Sequence, residues 1–244
     1  MIVKTSPDEI QKFLVDASNY KGHCEAVYFP ENCNEVIGII KEANQKRIPV
    51  TVAGNGTGLA GACVPEGGIV ISTEKMNKII WVNTEELTAA VEPGVILSVF
   101  LDEVKKYGLL YPPDPTEKDC FIGGTAATNA SGEKTFRYGP TRDYIIALEI
   151  VLPDGEVLKL KRGEVRAVKN KMKLETCTGK IIQITLPEIN MPPVKNASGY
   201  FIKNNMDAID LFIGSEGTLG VITKIGLRLL VQPEKVISCV IFFN

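Results

Sequence analysis

The β-branched, apolar run Ile48 to Ala53 passes without interruption into Gly54-Asn55-Gly56-Thr57-Gly58-Leu59-Ala60-Gly61. Few folds accept such a join. The strand must end in a turn that takes positive φ or approaches another group closely, and glycine does both without a clashing Cβ. Backbone N–H groups in such a turn can converge on an anion, and a nest of this kind binds a diphosphate without lysine or arginine. Gly56 to Gly61 spells G-x-G-x-x-G, a fingerprint that requires a helix immediately after it. Ala62-Cys63-Val64-Pro65-Glu66-Gly67-Gly68 follows instead. This is turn chemistry, so the Rossmann arrangement is rejected. A glycine-rich turn without a ligand remains the competing account of this segment taken alone.

Three further segments share this texture. Tyr111-Pro112-Pro113-Asp114-Pro115 is stiffened by its prolines. It leads to Cys120 and then to Ile122-Gly123-Gly124-Thr125-Ala126-Ala127-Thr128-Asn129-Ala130-Ser131-Gly132. This small-residue run reads as a long loop, and small side chains suit a backbone lying against a large planar ligand. Long loops inside compact domains are more often functional than idle. Tyr138-Gly139-Pro140-Thr141-Arg142-Asp143 and Gly214-Ser215-Glu216-Gly217-Thr218-Leu219-Gly220-Val221-Ile222 are turns that run into strands.

The remaining pattern is mixed α and β. Ser6-Pro7-Asp8-Glu9 reads as a capping box opening a helix with Ile10, Phe13, Leu14 and Ala17 on one face. Ala26 to Pro30 reads as a strand. A helix follows with Val36, Ile39, Ile40 and Ala43 inward, then strands at 48–53 and 69–73. Residues 79–82 and 87–92 read as paired strands. A helix carrying Val95, Val99, Leu101 and Val104 stops at Gly108. Pro153-Asp154-Gly155 joins a hairpin. Residues 161–195 have no firm assignment, 207–213 is a short helix, and 221–231 is an alternating strand.

Composition narrows the class. The 244 residues are 45% hydrophobic and 23% charged, with 27 basic and 29 acidic residues and a net charge of −2. No basic stripe points to nucleic acid. No apolar run reaches the roughly 18 residues of a membrane span, and the N-terminal residues do not read as a signal peptide. Six cysteines without a C-x-x-C pair read as free thiols in a reducing cytoplasm, with no metal site. His23, the single histidine, reads as a surface or capping residue near a helix end. Arg142 and Lys195 read as solvated, Tyr138 as a core or wall residue, and Trp81 as packing in a strand.

Taken together, the four segments resemble, in order and spacing, the FAD-binding domain of the vanillyl-alcohol oxidase superfamily, in its glycolate oxidase/D-lactate dehydrogenase branch. The resemblance runs from about Asn34 to Leu230. It includes Val91-Glu92-Pro93-Gly94-Val95 and Lys195-Asn196-Ala197-Ser198-Gly199-Tyr200. It implies an α+β fold of two α/β subdomains, about 1–77 and 78–231, with FAD between them in a domain spanning 1–231. By the same resemblance Gly54, Asn55, Gly56, Thr57, Gly58 and Leu59 hold the diphosphate. Gly123, Gly124, Ala127, Thr128, Asn129, Ala130 and Gly132 line the diphosphate and flavin, and Pro113, Asp114 and Tyr138 join the cofactor-binding set. Glu216, Gly217, Gly220, Val221 and Ile222 contact the cofactor through backbone groups near its adenosine half. Some superfamily members attach FAD through a histidine in the glycine loop. Asn55 and Thr57 stand there, so non-covalent FAD is expected.

The implied activity is oxidation of a small 2-hydroxy acid such as D-lactate or glycolate, with catalytic residues unassigned. Family members place their substrate groups mainly in a following cap domain. Residues 235–244, with the apolar run Val236 to Phe243, resemble the first strand of that cap. The expectation is therefore a chain incomplete for catalysis, complemented by a cap or by a second chain that carries it or accepts electrons. Two alternatives stand beside this one. An alkylglycerone-phosphate synthase-like enzyme is disfavoured because that branch carries arginine where Asn129 sits. A flavin-binding electron-relay module is the other.

Overall fold

The computed structural model describes every residue except Lys195, Ser198, Ser238, Phe243 and Asn244. The first layer is a four-stranded sheet of β1 (Ile2–Lys4), β2 (Ala26–Phe29), β3 (Val50–Ala53) and β4 (Ile69–Ser72), in the order β1-β2-β4-β3. β2 and β3 both run parallel to the central β4, and β1 adds antiparallel to the edge. α1 (Pro7–Ile10) is one turn followed by a 3-10 turn at Gln11–Phe13, and the Ser6 side chain makes no capping bond. The capping box is thus absent, and Ala17 lies beyond the helix. α2 (Cys33–Lys46) is capped by Asn32, whose side chain accepts from the Glu35 N–H. It buries the expected Val36, Ile39, Ile40 and Ala43.

The second layer is a five-stranded antiparallel sheet of β5 (Ile79–Asn83), β6 (Thr88–Val91), β8 (Ile145–Val151), β9 (Val157–Lys161) and β12 (Val221–Arg228), ordered β5-β6-β12-β8-β9. β12, late in sequence, occupies the centre. α3 (Leu97–Lys105), α4 (Ile122–Thr128) and α6 (Ile209–Phe212) contribute to the core packed with this sheet. Val99 is 53% exposed, and Leu97 and Phe100 fill the inward positions with Val104. α5 (Thr135–Tyr138) is one turn. β7 (Leu109–Leu110) pairs with β13 (Leu230–Val231). The unassigned region contains a hairpin of β10 (Lys171–Glu175) and β11 (Ile181–Thr185). Among residues 236–242, those described form no strand, so the expected cap strand is not formed there; Phe243 lies outside the described residues. Trp81 lies in β5 but is 47% exposed. Among the described residues no helix is long and apolar enough to cross a membrane.

The two sheets meet at a shared apolar cluster. Ile69 and Ile71 from β4 pack with Val36 and Ile40 from α2, and Val151 from β8 and Val221 from β12 join them. Ile71 is fully buried in that cluster. Ile71→Ala is expected to cost about 2–5 kcal/mol by loss of transfer energy plus the cavity left behind. A lowered urea midpoint with an unchanged m-value would show it; a shift worth under about 0.5 kcal/mol would place the seam elsewhere.

Candidate functional site

A cleft of about 550 Å³ opens where the glycine loop after β3 faces α4 and the Ser215–Gly220 turn. That size falls within the usual range for ligand sites. Gly54 to Leu59 all line it. Asn55 Nδ2 donates to the Asp119 carbonyl at 2.9 Å, tying the loop to the segment ahead of α4. A Cβ on Gly54 would lie 4.0 Å from the Gly124 Cα, so loop and helix are in contact distance. Gly56 has φ +68°, a conformation that disfavours branched side chains. No helix follows the loop, in accord with its turn chemistry. Among the described residues, no backbone N–H from Gly54 to Ala60 donates to a protein acceptor. Asn55, Gly58, Leu59 and Ala60 are exposed, so water can satisfy these amides in the free protein, and they remain open to an anion that displaces it.

The Ile122–Gly132 run is not all loop, since its first seven residues form α4. Its ends are held by remote segments. The Ile122 N–H donates to the Val95 carbonyl and the Gly123 N–H to the Pro93 carbonyl, each at 2.8 Å. A Cβ on Gly123 would come within 2.6 Å of the Pro93 Cβ, so glycine is required for that approach. At the other end Gly214 and Glu216 donate their N–H groups to the Ala126 and Ala127 carbonyls at 3.0 and 2.9 Å. The Ala127 carbonyl is one of those a helix terminus leaves open, while the Ala126 carbonyl also accepts the Asn129 N–H at 3.3 Å. Gly124, Ala127 and Thr128 recur at helical spacing on the cleft wall, and Gly123, Ala130, Glu216, Gly217, Gly220 and Ile222 also line it.

The remaining candidates lie off that wall. Asn129 ends α4 in the left-handed region, and its Oδ1 accepts the Arg142 N–H at 2.9 Å. Pro113 is buried beside Asp114, whose carboxylate pairs with Lys118 and Lys134. Gly132 leaves no room for a Cβ against the Asp114 carbonyl. The Tyr138 carbonyl accepts the Tyr144 hydroxyl at 2.7 Å, and Val221 points into the inter-sheet cluster.

Arg142 is buried, contrary to its reading as solvated. It donates to the Asp210 carbonyl at 2.6 Å, to the Asp210 carboxylate at 3.1 Å and to the Ile213 carbonyl. Burial pulls its guanidinium below the usual value, and the Asp210 charge opposes that pull. Lys195 lies outside the described residues. His23 is exposed, in keeping with a surface role, but it does not stand at a helix end. It forms an isolated β-bridge with Glu66, in the segment between the 3-10 turn that ends at Phe13 and the helix that starts at Cys33, and it does not line the cleft. Sequence reasoning also missed Asp16, a buried carboxylate on the wall. The Asp16-Ala17-Ser18 turn signature was the available signal.

A family profile described as "FAD binding domain" matches residues 24–161. The chain belongs to that FAD binding domain family. D-lactate dehydrogenase of Anaerostipes hadrus is 38% identical over 222 residues, which is 91% of this chain and 39% of that protein. Glycolate oxidase subunit GlcD of Bacillus subtilis is 35% identical over 88% of this chain and 39% of its own length. D-2-hydroxyglutarate dehydrogenase of Xanthomonas citri is 31% identical over 95% of this chain and 42% of that protein. The chain thus spans about two fifths of these relatives. A solved alkyldihydroxyacetonephosphate synthase covers 96% of this chain and 41% of its own, with TM-score 0.68 and 21% identity, which is a likeness of fold. The cleft fits FAD: it is roomy, carries acceptor-free amides and presents the small-residue face of α4.

Cys120 lies on the cleft wall, and burial pushes its thiol up to about 11. At pH 8 only about one part in a thousand is thiolate. Alkylation with iodoacetamide at pH 8 is expected to label the exposed Cys177 while Cys120 stays unmodified, as peptide mass spectrometry would read. Labelling of both at equal rates would contradict the buried, neutral thiol.

Proposed function

We propose that this FAD binding domain is the cofactor-holding part of a flavoenzyme that oxidises a small 2-hydroxy acid such as D-lactate or glycolate. The observation that carries the reading is the Gly54–Ala60 loop, whose N–H groups no protein group accepts and which lines one cleft with the small residues of α4. In this reading Gly54 to Leu59 hold the diphosphate. Gly123, Gly124, Ala127, Thr128 and Ala130 lie against the diphosphate and flavin. Glu216, Gly217, Gly220 and Ile222 meet the adenosine half. Pro113, Asp114, Asn129, Gly132, Tyr138 and Val221 support that wall from behind. The division into subdomains at about 77/78, within a domain spanning 1–231, belongs to the same proposal.

Bound FAD supplies the hydride acceptor, and the protein supplies position and exclusion of water. We place the attachment as non-covalent. No histidine lines the cleft among the described residues, and burial raises the thiols of Cys63 and Cys120 that do. The groups that clamp a hydroxy acid are proposed to lie in a part of the whole protein that this chain does not span, or in a second chain. The relatives' names motivate the substrate class, and the six free cysteines motivate a cytoplasmic setting.

Purified chain mixed with FAD is expected to give a flavin spectrum, and acid precipitation should leave the flavin in the supernatant. Gly56→Val should abolish FAD binding while circular dichroism stays near wild type, because a β-branched residue at φ +68° distorts the loop. Retention of wild-type affinity would remove the loop from the site. Stopped-flow mixing of the loaded chain with D-lactate or glycolate should reduce flavin slowly, if at all. Rapid reduction would place the substrate groups in this chain.

A further inference from the structure

We propose that Asp16 is a positioning residue for the glycine loop, acting as a hydrogen-bond acceptor and not as a charge. The proposal rests on the reading that this loop holds the cofactor's diphosphate. Asp16 is only 6% exposed and lies on the cleft wall. Its Oδ2 accepts the Gly61 N–H at 2.9 Å. Its Oδ1 accepts the Ser18 N–H at 2.9 Å and the Ser18 hydroxyl at 2.5 Å. Beside it the Ala17 N–H donates to the Gly56 carbonyl at 3.1 Å. The turn at 16–18 therefore grips the loop at two points, Gly56 and Gly61. The residues between those points, 57–60, keep the amides that no protein group accepts.

Electrostatics alone would argue against a carboxylate here. Among the described residues no lysine or arginine pairs with Asp16. A Cβ on Gly58 would lie 3.6 Å from its Oδ2, so the charge sits against the loop itself. A like charge repels a diphosphate, so as a bare charge Asp16 would weaken binding. Its contribution must come from the bonds it accepts, the three above and a longer one from the Cys63 thiol at 4.0 Å. Asparagine keeps the shape and one acceptor but turns an N–H₂ toward either Gly61 or Ser18, donor against donor. Charge and acceptor roles therefore predict opposite signs for Asp16→Asn.

The experiment compares wild type, Asp16→Asn, Asp16→Ala and, as a separate arm, Gly56→Val. Affinities for FAD and for riboflavin, which lacks phosphate, are read from flavin fluorescence, and thermal melts report folding. Asp16→Ala should bind FAD at least about tenfold more weakly, the size expected when buried donors lose their acceptor. Asp16→Asn should fall between it and wild type, and riboflavin affinity should not move. Should Asp16→Ala fail to fold, the isosteric Asp16→Asn carries the test. Wild-type or tighter FAD binding by Asp16→Asn, or an equal loss for FAD and riboflavin, overturns the proposal. If Gly56→Val loses FAD while the Asp16 variants keep it, only the role of Asp16 falls. If Gly56→Val binds FAD normally, the diphosphate reading falls and takes this proposal with it.

Discussion

The cleft depends on the apolar seam beneath α2. Each sheet has its own core, but only a shared cluster fixes where one stands relative to the other. Val151 and Val221, at the ends of two central strands of the second sheet, supply that link by packing with Ile69, Ile71 and α2. Close packing transmits small displacements, because cores have few voids to absorb them. The glycine loop leaves the first sheet at Ala53, while α4 is held to the turn after β6 in the second part of the chain. Their approach is thus set by residues that touch no ligand.

α4 shows how that wall is made from distant pieces. Its sequence is poor in good helix formers, with two glycines and two threonines among seven residues. Its first amides and last carbonyls are satisfied by the Pro93–Val95 turn and by the Gly214–Glu216 turn. Asn129 passes the connection on to Arg142, which binds Asp210 and Ile213. A buried arginine is tolerated only with several partners. Here those partners also anchor the turn that forms the far side of the cleft.

This explains which features could be read from the chain. α2 was legible because Val36, Ile39, Ile40 and Ala43 repeat at helical spacing, and the β8–β9 hairpin because Pro153-Asp154-Gly155 stands between two apolar runs. The glycine loop was legible because glycine density is itself a backbone statement. α4 read as loop, since its stability comes from hydrogen bonds supplied across about ninety residues of sequence. Arg142 read as solvated for the same reason: its carboxylate partner lies 68 residues downstream. Ser6 offered every residue of a capping box, yet the helix it opens has too few packed turns to use it. β10 has period-two burial that its two lysines concealed, and β11, Ile181–Thr185, alternates exposed with half-buried positions behind a near-continuous apolar run.

The charge on the cleft wall gives the arrangement its chemical logic. Asp16, Glu117 and Glu216 line it, and among the described lining residues there is no lysine or arginine. A dianionic diphosphate placed there would gain nothing from side-chain cations and something unfavourable from the carboxylates. Glu117 and Glu216 are exposed, so solvent screens them well. Asp16 is not screened in this way, but its oxygens are already occupied by donors. What remains to attract an anion is the run of backbone N–H groups from Gly54 to Ala60, which no protein group accepts. Dipoles in that setting act at short range and need little reorganisation. The wall opposite that run is closed for a separate reason: Gly123 lies so near Pro93 that no side chain fits between them.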